Sequence, residues 1–235
     1  MSDISNNLQA LRRAIDAACT RGHRAPGDAR LVAVSKGVAA ERLAEAAAAG
    51  QGCFGESYLQ EALAKIARTE ALAGHPLEWH FIGPLQANKT AAIAQAFSWV
   101  HGVDRERIAR RLSDARDRTV APLNVCVQVN VSGEASKSGC APLEAAALCA
   151  TIASLPNLRL RGLMAIPAPV EHAEQSRAAF HALRDLADSI RASGSVPAND
   201  FDTLSMGMSD DFEVAIEEGA TLVRIGTALF GARAA

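Results

Sequence analysis

Three stretches of the chain carry side chains suited to covalent chemistry on an anionic carbonyl compound. Leu31-Val32-Ala33-Val34 is an unbroken aliphatic run that closes on Ser35 and Lys36. Such a run reads as a parallel strand covered on both faces. A lysine just past its carboxyl end stands on the rim where parallel α/β folds bind ligands. A primary amine there is a nucleophile for a carbonyl carbon; its plain alternative is a solvated strand end. The second and third stretches, Ser205-Met206-Gly207-Met208-Ser209 and Arg224-Ile225-Gly226-Thr227, set hydroxyls beside glycines, which let backbone N–H groups close on an anion. Arg224 lies in an otherwise apolar run, and a guanidinium is costly to bury there without a ligand or a carboxylate.

The elements that must position these residues follow a regular alternation. Leu8, Leu11, Ile15 and Ala18 mark a helix over about 5–20, outside the repeat. After the Lys36 strand, strands are expected at Cys53–Ser57, Trp79–Gly83, Trp99–Val103, Leu123–Val131, Leu158–Ile166, Thr203–Met206 and Thr221–Ile225. Between them lie helical patterns at Ala39–Ala49, Tyr58–Ala73 (stripe Leu59, Leu63, Ile66), Gln86–Phe97 and Arg105–Arg118. Further helices are expected from Pro142, from Glu174 to Ser193, and from a Ser209 cap to Gly219. Eight strands interleaved with helices predict an α/β fold, a single (β/α)₈ TIM barrel with an extra N-terminal helix, over the whole of 1–235. No GxGxxG follows the first strand, which disfavours a dinucleotide fold.

In such barrels the loops after strands seven and eight often take a phosphate. Lys36 then faces a phosphate site across the barrel mouth. That arrangement admits a Schiff-base aldolase acting on a phosphorylated sugar, or pyridoxal 5′-phosphate (PLP) attached to the lysine. Composition does not separate the two.

Bulk properties exclude other classes. A net charge of −2 with no basic run gives no reason to expect nucleic acid. No apolar stretch is long enough to span a bilayer, and no basic flank precedes an apolar segment at the N-terminus. The five cysteines include no CxxC pair and read as core residues of a reducing, cytoplasmic compartment. The acidic pairs Asp210-Asp211 and Glu217-Glu218 lack metal-ligand spacing, so no metal site is expected.

The segments Val34-Ser35-Lys36, Phe54-Gly55-Glu56-Ser57-Tyr58, Trp79-His80-Phe81-Ile82-Gly83-Pro84-Leu85-Gln86, Gln128 to Gly139, Arg161 to Pro167 and Leu204 to Arg233 resemble the pyridoxal phosphate homeostasis protein family, whose members are similar to the N-terminal barrel of alanine racemase. The resemblance implies that Lys36 holds PLP as a Schiff base, that Ser205, Gly226 and Thr227 bind its phosphate, and that Arg224 faces its pyridine nitrogen. The cofactor-binding set further takes in Ser57 at the end of the second strand, His80 at the rim end of its strand, Gly207, and Met164 and Met206, which can flank a cofactor ring or simply fill the core. Ser57 stands where the family usually has Asn, and Val38 where some members carry another lysine. A basic tail found in some members is missing, the chain ending on Arg233-Ala234-Ala235. Lys137 is either a solvated loop charge, the favoured reading, or a lysine near the pocket mouth able to take up cofactor.

A guanidinium at the pyridine nitrogen disfavours its protonation, so the cofactor would be a poor electron sink. Racemisation in this fold type resembles a two-base reaction, and Tyr58 is the only tyrosine here. The expected function is therefore PLP binding in intracellular PLP homeostasis, buffering or delivering the cofactor to PLP-dependent apoenzymes, as a monomer and without catalytic residues. The alternative is a PLP-dependent amino-acid racemase of low activity.

Overall fold

The computed structural model describes residues 3–134, 138–168 and 170–231; Lys137 and the final Arg233-Ala234-Ala235 lie outside them. Eight parallel strands close into a barrel in sequence order: β1 (Arg30–Val34), β2 (Cys53–Glu56), β3 (Glu78–Phe81), β4 (Trp99–Val103), β5 (Leu123–Gln128), β6 (Leu158–Met164), β7 (Thr203–Ser205) and β8 (Leu222–Ile225). Closure is by β1 on β8, with Val32 opposite Arg224. The expected (β/α)₈ barrel is the observed fold.

Side-chain alternation along each strand divides the core in two. Inward-facing Val32, Trp99, Cys126, Met164 and Leu222 fill the barrel interior. Outward-facing Leu31, Ala33, Phe54, Trp79, Phe81, Val100 and Val125 pack under the helices. Those are α2 (Ala40–Ala48), α3 (Leu59–Ala73), α4 (Thr90–Ala96), α5 (Glu106–Ala115), α6 (Pro142–Ala153), α7 (Arg177–Ala192), α8 (Phe212–Glu217) and α9 (Thr227–Phe230), after α1 (Asp3–Arg21). Because α8 and α9 are short, they leave the β8–β1 seam thinly covered. The Leu8, Leu11, Ile15 and Ala18 face of α1 is buried, and the helix packs on α2, α8 and α9 beside it, each large side chain contributing about 1.5–3 kcal/mol by burial. Arg24 Nη1 fastens the end of α1 to the carbonyls of Ile216 and Ala220, at 3.0 and 2.7 Å.

Three differences from the sequence expectation have physical causes. The strand expected to reach Val131 ends at Gln128, where the chain turns outward and only Val129 pairs on, with Cys140. The helix expected to start from a Ser209 cap starts at Phe212, because Asp211 takes the cap position and its carboxylate accepts the Met208 N–H at 2.7 Å. On α3 the buried face is Leu59, Ala62, Lys65 and Thr69, while Leu63 is exposed. Lys65 turns inward because a buried carboxylate, Glu56, is there to receive it at 2.7 Å.

Candidate functional site

The carboxyl ends of β1, β2, β3, β6, β7 and β8 converge on one cavity of about 440 Å³, lined by Lys36, Ser57, Ile82, Ile166, Met208, Ser209, Asp210, Arg224, Gly226 and Thr227 among others. That volume suits a small organic ligand. Of the residues expected from sequence, Lys36, Ser57, Arg224, Gly226 and Thr227 meet there. Ser205, Met206, Gly207, Met164 and His80 are all buried outside its lining.

The Lys36 turn is anchored from behind. Ser35 Oγ donates to Glu56 Oε1 at 2.6 Å, and Lys65 Nζ donates to the Ser35 carbonyl, Glu56 Oε1 and Glu61 Oε1 at 2.6, 2.7 and 2.6 Å. Glu61 also accepts the Gly37 N–H at 2.6 Å. Burial pushes the Glu56 carboxyl above its ordinary value, against the pull of Lys65 and Ser35. These contacts fix the backbone on both sides of Lys36, so its side chain leaves a rigid base.

Two glycines let the opposite wall close in. At Gly207 (φ +90°) an added Cβ would lie 2.6 Å from Ala215 Cβ, so the β7 loop can lie flat on α8 only without a side chain. At Gly226 a Cβ would meet the Val34 carbonyl at 3.0 Å, across the seam from the Lys36 strand.

Arg224 supplies the charge. The residue is 4% exposed, and its guanidinium donates from Nη1 to the carbonyl and Oγ of Ser205, at 2.8 and 2.6 Å, and from Nη2 to the Ala165 carbonyl at 2.9 Å. Among the described residues no carboxylate lies within ion-pair distance of it. Burial pulls its pKa down to about 10, which leaves it protonated at neutral pH. The cavity therefore has a buried cation in its wall whose only partners are neutral, and an anionic or electron-rich ligand would complete it.

Below Arg224 the barrel axis holds a polar chain. Ser205 Oγ and His101 Nδ1 are 2.7 Å apart, His101 Nε2 and His80 Nδ1 2.8 Å, and His80 Nε2 and Glu78 Oε1 2.9 Å. His80 stacks on Trp99 with ring centroids 5.3 Å apart. At the foot of the barrel Arg30 Nη2 reaches Cys53 Sγ and Glu78 Oε1 at 2.6 and 2.7 Å. Cys53, Glu78 and His80 offer three ligand atoms within 4.8 Å of one another, but the Arg30 guanidinium already takes the place of a cation.

Burial lowers the pKa of both imidazoles, strongly at His101. Burial also opposes ionisation of Glu78, yet hydrogen bonds from His80 and Cys53 and the Arg30 charge outweigh it and hold that carboxyl below its usual range. The Cys53 thiol is pushed up to about 12, first by burial and then by Glu78, so it is a donor.

Sequence reasoning missed Lys65 and His101. Glu61 and Lys65 form an i, i+4 pair that reads as an exposed salt bridge; nothing local says it faces Glu56. His101 lies in an apolar strand, two residues after the inward-facing Trp99, and that spacing was the available signal.

Over residues 6–234 the chain matches the family described as alanine racemase, N-terminal domain. It is 55% identical over 233 residues to the pyridoxal phosphate homeostasis protein of Pseudomonas aeruginosa, covering 99% of this chain and 97% of that one. It is 50% identical over 240 residues to the protein of the same name from Escherichia coli K12, covering 99% and 98%. Among solved structures, PipY of Synechococcus elongatus PCC7942 with PLP bound matches at 33% identity and TM-score 0.82, over 97% of this chain and 100% of that one.

The buried imidazoles impose a pH dependence on stability. With folded pKa values below the ordinary imidazole value of about 6.5, the unfolded chain binds more protons than the native one once the pH falls under that value. Stability is thus lost toward acid, by on the order of 1 kcal/mol per pH unit for each ring. Urea unfolding between about pH 7.5 and 5.5 is expected to show this loss, and a smaller one in His101→Gln; an equal loss in both proteins would assign it to other groups.

Proposed function

Because the chain belongs to the alanine racemase N-terminal domain family and to the group of pyridoxal phosphate homeostasis proteins within it, we propose that it binds PLP at the barrel mouth and serves in PLP homeostasis, buffering or delivering the cofactor without a turnover of its own. One observation carries the reading: the Lys36 amine and the buried Arg224 guanidinium, which among the described residues has no carboxylate within ion-pair distance, open on the same cavity.

The donor set fits the cofactor. When bound, PLP supplies an aldehyde that condenses with a primary amine, and Lys36 provides that amine. Gly226 and Thr227 hold the phosphate, joined by Ser209, whose residue lines the cavity. Ser205 belongs to the same set through Arg224, since its oxygen is engaged by that guanidinium and by His101. Arg224 faces the pyridine nitrogen and, staying protonated, keeps that nitrogen an acceptor. Ser57 bounds the pocket beside Lys36. Met164 lies among the barrel-interior residues beneath it, His80 belongs to the polar chain that ends on Ser205, and Met206 and Gly207 pack on the helix side of β7. Tyr58, the only tyrosine of the chain, is 63% exposed.

The same reading treats 1–235 as a single PLP-binding domain acting as a monomer in the cytoplasm, with PLP-dependent apoenzymes as recipients. It agrees with five free, buried cysteines and with the lack, among the described residues, of a helix long and apolar enough to cross a membrane.

Two outcomes are expected. In a PLP titration Arg224→Ala raises the Kd by roughly tenfold or more, the loss of a charged hydrogen bond, while Met164→Ala changes it less; equal or reversed effects contradict the site. Incubated with a panel of L-amino acids in deuterated water, the PLP-loaded protein exchanges no Cα hydrogen and forms no product. Robust turnover on any of them would sink the carrier reading.

A further inference from the structure

The polar chain along the barrel axis has only one consistent set of protons. Glu78 is ionised and can only accept, so the proton between it and His80 sits on His80 Nε2. Both imidazoles are neutral, which leaves His80 Nδ1 bare to accept from His101 Nε2–H. His101 Nδ1 is then bare in turn and accepts the Ser205 hydroxyl proton. With its proton committed there, Ser205 Oγ turns its lone pairs to Arg224 Nη1. Every donor in the chain points the same way, from Arg224 toward the Glu78 carboxylate. Chains of this kind polarise cumulatively in a low-dielectric interior, so the Glu78 charge makes the Ser205 oxygen a stronger acceptor for a guanidinium that, among the described residues, has no carboxylate within ion-pair distance.

We propose that Glu78, His80, His101 and Ser205 form a polarised relay that positions Arg224 for the ring of the bound ligand, with His80 and His101 as positioning residues, both in the Nε2–H tautomer. The inference rests on the PLP site proposed above and assigns it a part that reaches to the opposite end of the barrel. Packing alone does not account for these residues. The same layer is otherwise filled by Val32, Trp99, Cys126, Met164 and Leu222, and buried imidazoles cost desolvation that apolar side chains would avoid. A metal centre at Cys53, Glu78 and His80 does not account for them either, since Arg30 is bonded to both the sulfur and the carboxylate and His80 Nε2 carries a proton rather than a free lone pair.

The relay is tested first in the ligand-free protein. With ¹⁵N-labelled histidine, two-bond ¹⁵N–¹H spectra at neutral pH are expected to show His80 and His101 neutral and protonated at Nε2; an Nδ1 proton or an imidazolium at either one overturns the relay. The second test is PLP titration. His101→Leu leaves the Ser205 hydroxyl proton and His80 Nδ1 without their partner; affinity is expected to fall roughly tenfold, the equivalent of one lost hydrogen bond, with a shifted absorption maximum of bound PLP. His101→Gln, whose amide can accept from Ser205 and donate to His80, is expected to stay within about threefold of wild type by the same reasoning. Wild-type affinity in His101→Leu, or equal losses in both variants, overturns the proposal. If His101→Leu does not fold, the tautomers and His101→Gln still decide it. Absence of PLP uptake by the wild-type protein, with both tautomers as assigned, contradicts the proposed function instead.

Discussion

The structure is arranged around a buried positive charge that, among the described residues, has no carboxylate within ion-pair distance. Arg224 projects from β8 into the barrel, where removal from water is costly, and it meets two carbonyls and one hydroxyl. Neutral partners satisfy hydrogen bonds without cancelling charge, so the guanidinium is left to be completed by something anionic or electron-rich in the cavity. The closed sheet makes such a site tolerable, because backbone carbonyls at the strand ends are fixed and need no reorganisation to face the guanidinium.

Around that charge the fold divides its work by strand end. The β1 turn presents an amine and is held from outside the barrel by Lys65, Glu56 and Glu61. The β7 and β8 loops bring hydroxyls and side-chain-free backbone against the same space, with Gly226 close to the Lys36 strand. The two halves approach across the β8–β1 seam. The N-terminal helix packs on α2, α8 and α9, the helices beside that seam, without contributing to the cavity lining.

Much of this was legible in the sequence, for a specific reason. A strand buried on both faces writes itself as an apolar run, so the places where the run breaks, at Lys36 and Arg224, show through as chemistry. Glycine beside hydroxyl residues at Ser205–Ser209 and Gly226–Thr227 was legible on the same grounds. The side of the chain on which a polar residue falls was not. Lys65 reads as one of many charges on an amphipathic helix, and only the buried Glu56 opposite draws it inward. Ser205 reads as a rim hydroxyl, yet its oxygen points down the barrel to His101. His80 and His101 sit 21 residues apart on neighbouring strands, and no local pattern shows that their rings meet. Pairings across a barrel depend on register and on inward alternation, which the hydrophobic pattern of a strand covered on both faces does not record.

The account turns on Lys36 and Arg224 serving one ligand. Incubation with PLP, reduction with borohydride and mass mapping of the peptides tests it most directly. One pyridoxyl group on the peptide containing Lys36, absent from Lys36→Ala protein of unchanged circular dichroism, is the predicted result. A label on Lys65 or Lys89 instead, or no label after saturation with PLP, would contradict it.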